Sequence, residues 1–231
     1  DKIDGWQAYK KRGMWNSSPY EYKARWGKFK TKTTKFEFYS ETLKEALGKH
    51  AEKHQTTIDD ILQTCKYEAR GEKAFIPHYE SPYRWGDKNE FPLVFIDYKS
   101  RLNREGRSQN CTWYQEFKKA DVGDESWDDV LKINPEDAAK YAIKDGDTIK
   151  VTSPVGSIIV KAKLWEGVRS GTVAKCYGQG HWAYGKVAAK DYHKALPRGG
   201  NNNTLLPIDF DRLSGSTARN GGFTGVKIVK V

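Results

Sequence analysis

The chain has only three cysteines in 231 residues, Cys65, Cys111 and Cys176, odd in number, far apart and without a CxxC pair. A disulfide framework, an iron–sulfur cluster and a structural zinc site all need closely grouped thiolates, so this pattern speaks against each of them within this chain. The three read as free thiols with packing roles. Long apolar runs are also missing, and none approaches the roughly 20 residues that cross a bilayer as a helix. With a mean hydropathy of −0.82 and 30% charged residues, the composition points to a soluble protein. No signal peptide is recognisable. The first residue is Asp1 rather than Met, which is expected of a processed product or a fragment.

Catalytic signatures are equally scarce. The sequence contains no GxSxG, no Walker loop and no GxGxxG. His50 and His54 have the i, i+4 spacing that can hold a metal on a helix. The metalloprotease pattern requires Glu directly after the first His, and Ala51 stands there. The PCxxC partner of zinc deaminases is missing too. The pair reads as two solvent-facing imidazoles, and no side chain is assigned a catalytic or metal-ligating role.

What the chain does have is aromatic material, eight Trp, thirteen Tyr and nine Phe, and a formal charge of +10. Residues 1–70 carry fifteen Lys/Arg against ten acids and residues 71–231 carry twenty-five against twenty, so the surplus is spread. Neither a glycine-flanked aromatic RNA signature nor a Cys/His finger accompanies it, which favours an anionic small ligand or partner over nucleic acid. At this length a sizeable core can be buried, in one domain or one and a half.

Local patterns supply the elements. In "FEFY", residues 36–39 read as a brief strand. Ser40 caps an amphipathic helix with Leu43 and Leu47 on one side, and Thr57 caps a second, short one. Residues 70–90 read as a loop, and "FPLVFIDY" (91–98) as a strongly buried strand. The polar run after it ends in a short helical pattern. "VLKI" (130–133), "GTVAKCYG" (171–178) and "GVKIVKV" supply further strand material.

The most orderly stretch is "INPEDAAKYAIKDGDTIKVTSPVGSIIVKAKL". Asn134 is a helix cap, Pro135 suits the first helical position, and Asp137 can bond back to the cap N–H. Asp145-Gly146-Asp147 is expected to end the helix. "TIKV" then alternates, Ile149 and Val151 on one face, and Pro154-Val155-Gly156 turns into "SIIVKAKL", where Lys161 and Lys163 alternate with Val160, Ala162 and Leu164. Strands at irregular spacing with few short helices suggest a closed β-barrel with loops gathered at one end.

Three polar loops carry the candidate chemistry. "YGQGHWAYG" can clasp a flat ring or a phosphate, or be a glycine-eased corner packed by Trp182. The Asn amides of "GGNNNTLL" can pair with the edge of a heterocycle, or be ordinary loop material. The run from Asp97 to Asn110 follows a buried strand, where side chains often meet a ligand. Composition leaves these alternatives open.

Taken in order, "FPLVFIDYKSR", the helix–turn–hairpin stretch, "GVRSGTVAKCYGQGHW" and "NNNTLL" resemble the C-terminal part of molybdopterin oxidoreductases of the dimethyl-sulfoxide-reductase family. "TTKFEFYSETL" resembles the link that precedes it, with Thr34 where the family usually has Gly. The resemblance implies a mainly β fold with short helices (α+β), a double-psi β-barrel with an N-terminal helical and irregular arm. Its boundaries fall at residues 1–88 for the arm, a remnant of an upstream domain, and 89–231 for the barrel. It also implies a molybdopterin guanine dinucleotide cofactor, its molybdenum or tungsten held by upstream domains, and no iron–sulfur cluster in this chain. Carried over by position, the cofactor-facing residues are Asp97, Tyr98, Lys99, Asn103, Arg107, Ser108, Gln109, Gln179, His181, Trp182 and Asn203. The implied function is to cap and orient the cofactor for two-electron or oxygen-atom transfer, on sulfur or arsenic oxyanions or polysulfide. The implied partners are the upstream catalytic domains and an iron–sulfur electron-transfer protein, in the prokaryotic periplasm or cytoplasm. Two other readings stand beside it: a free-standing barrel or pterin-binding module without catalysis of its own, and a basic barrel that binds nucleic acid or protein without a cofactor.

Overall fold

The computed structural model describes residues 5–14, 21–24, 26–27, 29–103, 105–180, 199–217 and 223–231. It separates into two compact units, Asp1–Glu80 and Ser81–Val231. Among the described residues the first unit holds three α-helices, α1 (Gly5–Arg12), α2 (Glu41–Lys53) and α3 (Ile58–Thr64). As the caps predict, Ser40 Oγ accepts from the Leu43 N–H, and Thr57 forms a reciprocal capping box with Asp60. Leu47, Ala51, Leu62, Ala69, Ala74 and Phe75 are its buried apolar side chains. "FEFY" is not a strand. Phe36 and Phe38 are exposed and meet each other and Phe29 edge-on, because among the described residues no strand lies alongside to satisfy their backbone. The imidazoles of His50, on α2, and His54, its C-cap, are both exposed, their rings 4.3 Å apart.

The second unit is a barrel. Its strands are β1 (Arg84–Trp85), β2 (Leu93–Tyr98), β3 (Val130–Ile133), β4 (Thr148–Thr152), β5 (Ser157–Leu164), β6 (Thr172–Cys176) and β7 (Phe223–Lys230). Six close into a ring in the order β7-β2-β6-β3-β5-β4, with β4 pairing back onto β7, and β1 adds in parallel to the outside of β7. Closure removes the open edges that a sheet of this size would otherwise expose. Two pairs, β2–β6 and β3–β5, are parallel and the remaining ring pairs antiparallel. The mainly β class with few short helices, including α4 (Thr112–Phe117) and α5 (Pro135–Lys140), agrees with the expected barrel.

Alternation fills the ring. Leu93 and Phe95, Leu131 and Ile133, Ile149 and Val151, Ile158, Val160 and Ala162, Val173, Val226 and Ile228 all join one apolar core. Each fully buried side chain of this size contributes about 1.5–3 kcal/mol by leaving water. The hairpin β4–β5 is in the register that alternation predicts, Ile149 opposite Val160 and Val151 opposite Ile158.

Two local expectations are corrected. Helix α5 stops at Lys140, and its chain reverses through Tyr141 and Ala142, the latter at φ +53°, before Asp145-Gly146-Asp147 is reached. Asp137 does not turn back to the cap. Its carboxylate reaches forward, accepting from the Ser170 hydroxyl at 2.9 Å, the Gly171 N–H at 2.6 Å and Lys140 Nζ at 2.9 Å. Burial opposes its ionisation, but Lys140, Gly171 and Ser170 outweigh that and hold the carboxyl below the usual aspartate range. A depressed folded pKa stabilises fully above the unfolded value of about 3.9 and is lost as pH falls through the lower folded value. Asp137→Asn is therefore expected to cost about 1–3 kcal/mol at pH 7. Thermal unfolding at pH 7 and at pH 3 should show the variant's deficit shrinking in acid; a constant deficit contradicts this account.

Candidate functional site

Strands β2 and β6 run parallel and end side by side, Asp97 opposite Lys175 and Tyr98 opposite Cys176. In a strand, successive side chains point to opposite faces. Asp97 therefore shares the inward phase of Leu93 and Phe95, and Lys175 that of Val173, and the apolar core ends in a charged layer. Lys175 is fully buried and pairs with buried Asp129, Nζ to Oδ2 at 2.8 Å. Burial pushes the Asp129 carboxyl up against the pull of Lys175. The same Asp129 Oδ2 accepts the Gly200 N–H at 2.9 Å, which ties the asparagine loop to the barrel end.

Over this layer the chain forms a cavity of about 570 Å³ lined by Asp97, Glu105, Gly106, Tyr177, Gly178, Asn201–Asn203, Leu206–Asp209 and Thr217. Its walls are three loops that approach at glycines. Gly106 and Gly178 both have positive φ, and a Cβ on Gly178 would lie 2.6 Å from the Gly106 Cα. A Cβ on Gly180 would lie 2.3 Å from the Gly200 carbonyl carbon. Only glycine allows main chains this close. Asn103 buckles the first two loops together, donating from Nδ2 to the Tyr177 carbonyl at 2.8 Å and accepting the Gly106 N–H at Oδ1.

In the third loop a short 3₁₀ turn, Asn202–Thr204, sorts three consecutive asparagines. Asn201 accepts the Asn203 N–H as the cap, Asn202 is buried, and Asn203 is exposed. Asn202 Nδ2 donates to Asp97 Oδ1 at 2.5 Å and to the Lys175 carbonyl at 3.3 Å. Its Oδ1 is buried without a hydrogen-bond partner. Three carboxylates border the cavity; Lys99 reaches Glu105 at 2.8 Å and Arg212 reaches Asp209 at 3.0 Å.

The residues assigned by resemblance fall into distinct places. Asp97 and Asn203 line the cavity. Tyr98, one residue on, points to the other side of the strand, where its hydroxyl donates to Asp124 at 2.6 Å and its ring covers the Lys132 ammonium. Burial, and then the Asp124 charge, push that hydroxyl far up, so it stays protonated. Tyr98 and Lys99 border a second depression of about 550 Å³ with Ile96, Val122, Lys132 and Trp165. Asn103, Gln109 and Gln179 are buried. Gln179 Nε2 donates to the Tyr114 hydroxyl at 3.0 Å, and Gln109 accepts from Gln115. Arg107 is exposed and Ser108 half-buried on the loop between. His181 and Trp182 lie outside the described residues. Asn202, Glu105, Gly106, Tyr177 and Asp209 border the cavity without having been singled out. Strand alternation, which forbids Asp97 and Tyr98 the same face, was the usable signal for part of this; the choice among three asparagines had none.

The orphaned Asn202 oxygen and the glycine-built cradle suit a planar ligand held edge-on with its chain running close to backbone N–H groups. The chain is 60% identical over its full length to the arsenate respiratory reductase molybdopterin-containing subunit ArrA of Chrysiogenes arsenatis, and 58% identical to that of Shewanella sp. (strain ANA-3). It spans 27% of the length of each. One subunit of the tetrathionate reductase of Archaeoglobus fulgidus is 30% identical over 46% of this chain and 9% of that protein. The family described as "Molydopterin dinucleotide binding domain" matches residues 103–222, which contain the three loops from Asn103 onward, and the chain belongs to that family.

Proposed function

We propose that this chain closes over the molybdopterin guanine dinucleotide of a molybdenum or tungsten oxidoreductase, and that the complete enzyme reduces arsenate. The observation that carries the cofactor part is the acceptor-rich cavity at the barrel end, where Asn202 Oδ1 and the Asp97 carboxylate meet a glycine cradle. The Asp97 carboxylate and the asparagine amides make this cavity a good seat for a ring edge rich in N–H groups, as guanine and pterin both have. Asp97, Asn202 and Asn203 would hold that edge. Lys99 and Arg107, exposed on the adjoining loop, would face the phosphates, and Asn103, Gln109 and Gln179 would hold the loops in place. When bound, the cofactor and its metal supply the two-electron chemistry. The chain's own residues bind it, orient it and exclude water.

The substrate reading is supported by the two ArrA relatives, identical at 58–60% of positions across the whole chain, and by the oxyanion in the name of the tetrathionate relative. The further domains of the same polypeptide would hold the metal, and an iron–sulfur protein would deliver electrons. The test is an assay of the full-length protein, purified from its source, for oxidation of a reduced viologen dye. Arsenate-dependent oxidation is expected. Dye oxidation with tetrathionate or nitrate but not arsenate overturns the substrate, and none with any oxyanion overturns the reductase reading.

A further inference from the structure

We propose that His78 is a proton-operated clasp: protonated, it fastens the segment that leads out of the helical unit onto that unit, and on losing its proton it lets the segment go. Pro77 favours an extended conformation in the residue before it, and Ile76 has one, at φ −115° and ψ 153°. His78 and Glu80 follow two residues apart in a stretch, 77–83, that belongs to no helix or strand. Both ring nitrogens of His78 meet acceptors. Nδ1 lies 2.7 Å from the Ile76 carbonyl oxygen, and Nε2 lies 2.9 Å from Glu80 Oε1. Neither a carbonyl nor a carboxylate can donate, so both contacts are hydrogen bonds only when the ring carries two protons. A neutral ring serves one acceptor and turns a lone pair on the other.

The clasp reaches back into the unit. Glu80 Oε1 also accepts the N–H of Ala69, at 3.0 Å, and Ala69 is buried. The His78 and Glu80 side chains are 14% and 21% exposed, which leaves their pairing less screened than a surface contact. The Ile76 carbonyl and then Glu80 raise the imidazole above its usual value, against burial and against Lys73, which faces it from the 3₁₀ turn Gly71–Phe75. Burial opposes ionisation of Glu80, and the Ala69 N–H, His78 and the Glu68 N–H together outweigh it, so Glu80 stays a carboxylate. A histidine whose folded value lies above the unfolded one, about 6.5, stabilises fully below that pH and loses its contribution as pH rises through the folded value. The clasp is therefore closed in mild acid and opens toward alkaline pH. Tyr79, between its two side chains, is already 79% exposed, so opening frees a segment with little apolar surface holding it down.

The test is hydrogen exchange of the full-length protein, read by mass spectrometry on peptides within residues 66–83. It runs from about pH 5.5 to about pH 9, corrected for the intrinsic rise measured on an unstructured peptide. Protection at Ala69 is expected to fall severalfold with a one-proton midpoint above about 6.5. His78→Gln should leave protection low and flat across the range. Glu80→Gln, which keeps an acceptor and removes its charge, should move the midpoint down. Exchange of α2 and α3 in the same spectra reports whether the helical unit is intact in each variant. His50, His54 and Cys65 belong to the same unit and titrate in this window, and all three are unchanged in both variants. A flat wild-type profile overturns the proposal. So does a pH dependence that survives in His78→Gln, which would belong to those other groups, or a midpoint that stays in place in Glu80→Gln.

Discussion

Replacing Asp129 with Ala is expected to destabilise the barrel by roughly 3–5 kcal/mol, the largest effect of any single substitution at its charged end. The change leaves the Lys175 ammonium buried with no carboxylate and the Gly200 N–H with no acceptor. Water does not reach either group, since Lys175 and Asp129 are both essentially inaccessible. The pair itself is not a large source of stability, because burial pushes the Asp129 carboxyl up and the cost of desolvating two charges offsets most of their attraction. The double variant Asp129→Leu with Lys175→Met strands no ammonium and is accordingly expected to be milder than Asp129→Ala, with the lost Gly200 N–H acceptor as its remaining cost. Denaturant unfolding of the two variants checks this. A single-variant loss below about 1 kcal/mol would place the pair in contact with solvent and contradict the account.

Gly180→Ala is the second large effect, and it separates close approach from backbone strain. Gly180 is not at positive φ, so alanine suffers no conformational penalty there, yet its Cβ would sit 2.3 Å from the Gly200 carbonyl carbon and 2.6 Å from the Asn201 N. Both obstacles are main chain and cannot swing away. Gly146 is the converse, at φ +82° with nothing within 4 Å of a Cβ, where alanine suffers only the left-handed penalty of about 1–2 kcal/mol. Gly146→Ala should lower stability by that amount and leave ligand binding alone. Gly180→Ala should push the asparagine loop away from the glycine loop, displace Asn202 and weaken cofactor retention by an order of magnitude or more. Melting temperature together with bound cofactor per chain distinguishes them. Equal cofactor content in the two variants would show that the loop contact does not shape the cavity.

Local chemistry accounts for what was readable beforehand. Caps at Ser40, Thr57 and Asn134 act within a few residues, so their helices were legible. The β4–β5 hairpin was legible because alternation and a Pro-Gly turn set its register without outside help. Asp137 was misread because Ser170 and Gly171, which it serves, lie more than thirty residues away. Strand β1 was read as loop because its pairing partner is at the far end of the chain, Arg84 opposite Phe223. "FEFY" carries strand propensity and finds no strand to pair with among the described residues, which is how tertiary context overrides propensity.

At the cavity, three loops that the resemblance singled out come together, and geometry distributes the residues within them. Asp97 and Tyr98 are adjacent in sequence and on opposite faces of β2. Asn202 and Asn203 are adjacent and differ in burial because a 3₁₀ turn separates them. Asn103 has the look of a ligand residue and is used as a buckle between backbones. None of these distinctions is encoded by residue type. Each follows from a strand phase or a turn whose position depends on a contact distant in sequence.

The most direct test of the central claim is mass spectrometry of the small molecules released by denaturing the protein purified from its source, with molybdenum and tungsten measured on the same sample. Two equivalents of a pterin guanine dinucleotide and one of either metal per chain are predicted. A protein intact in mass and fold that releases neither pterin nor metal would contradict the account.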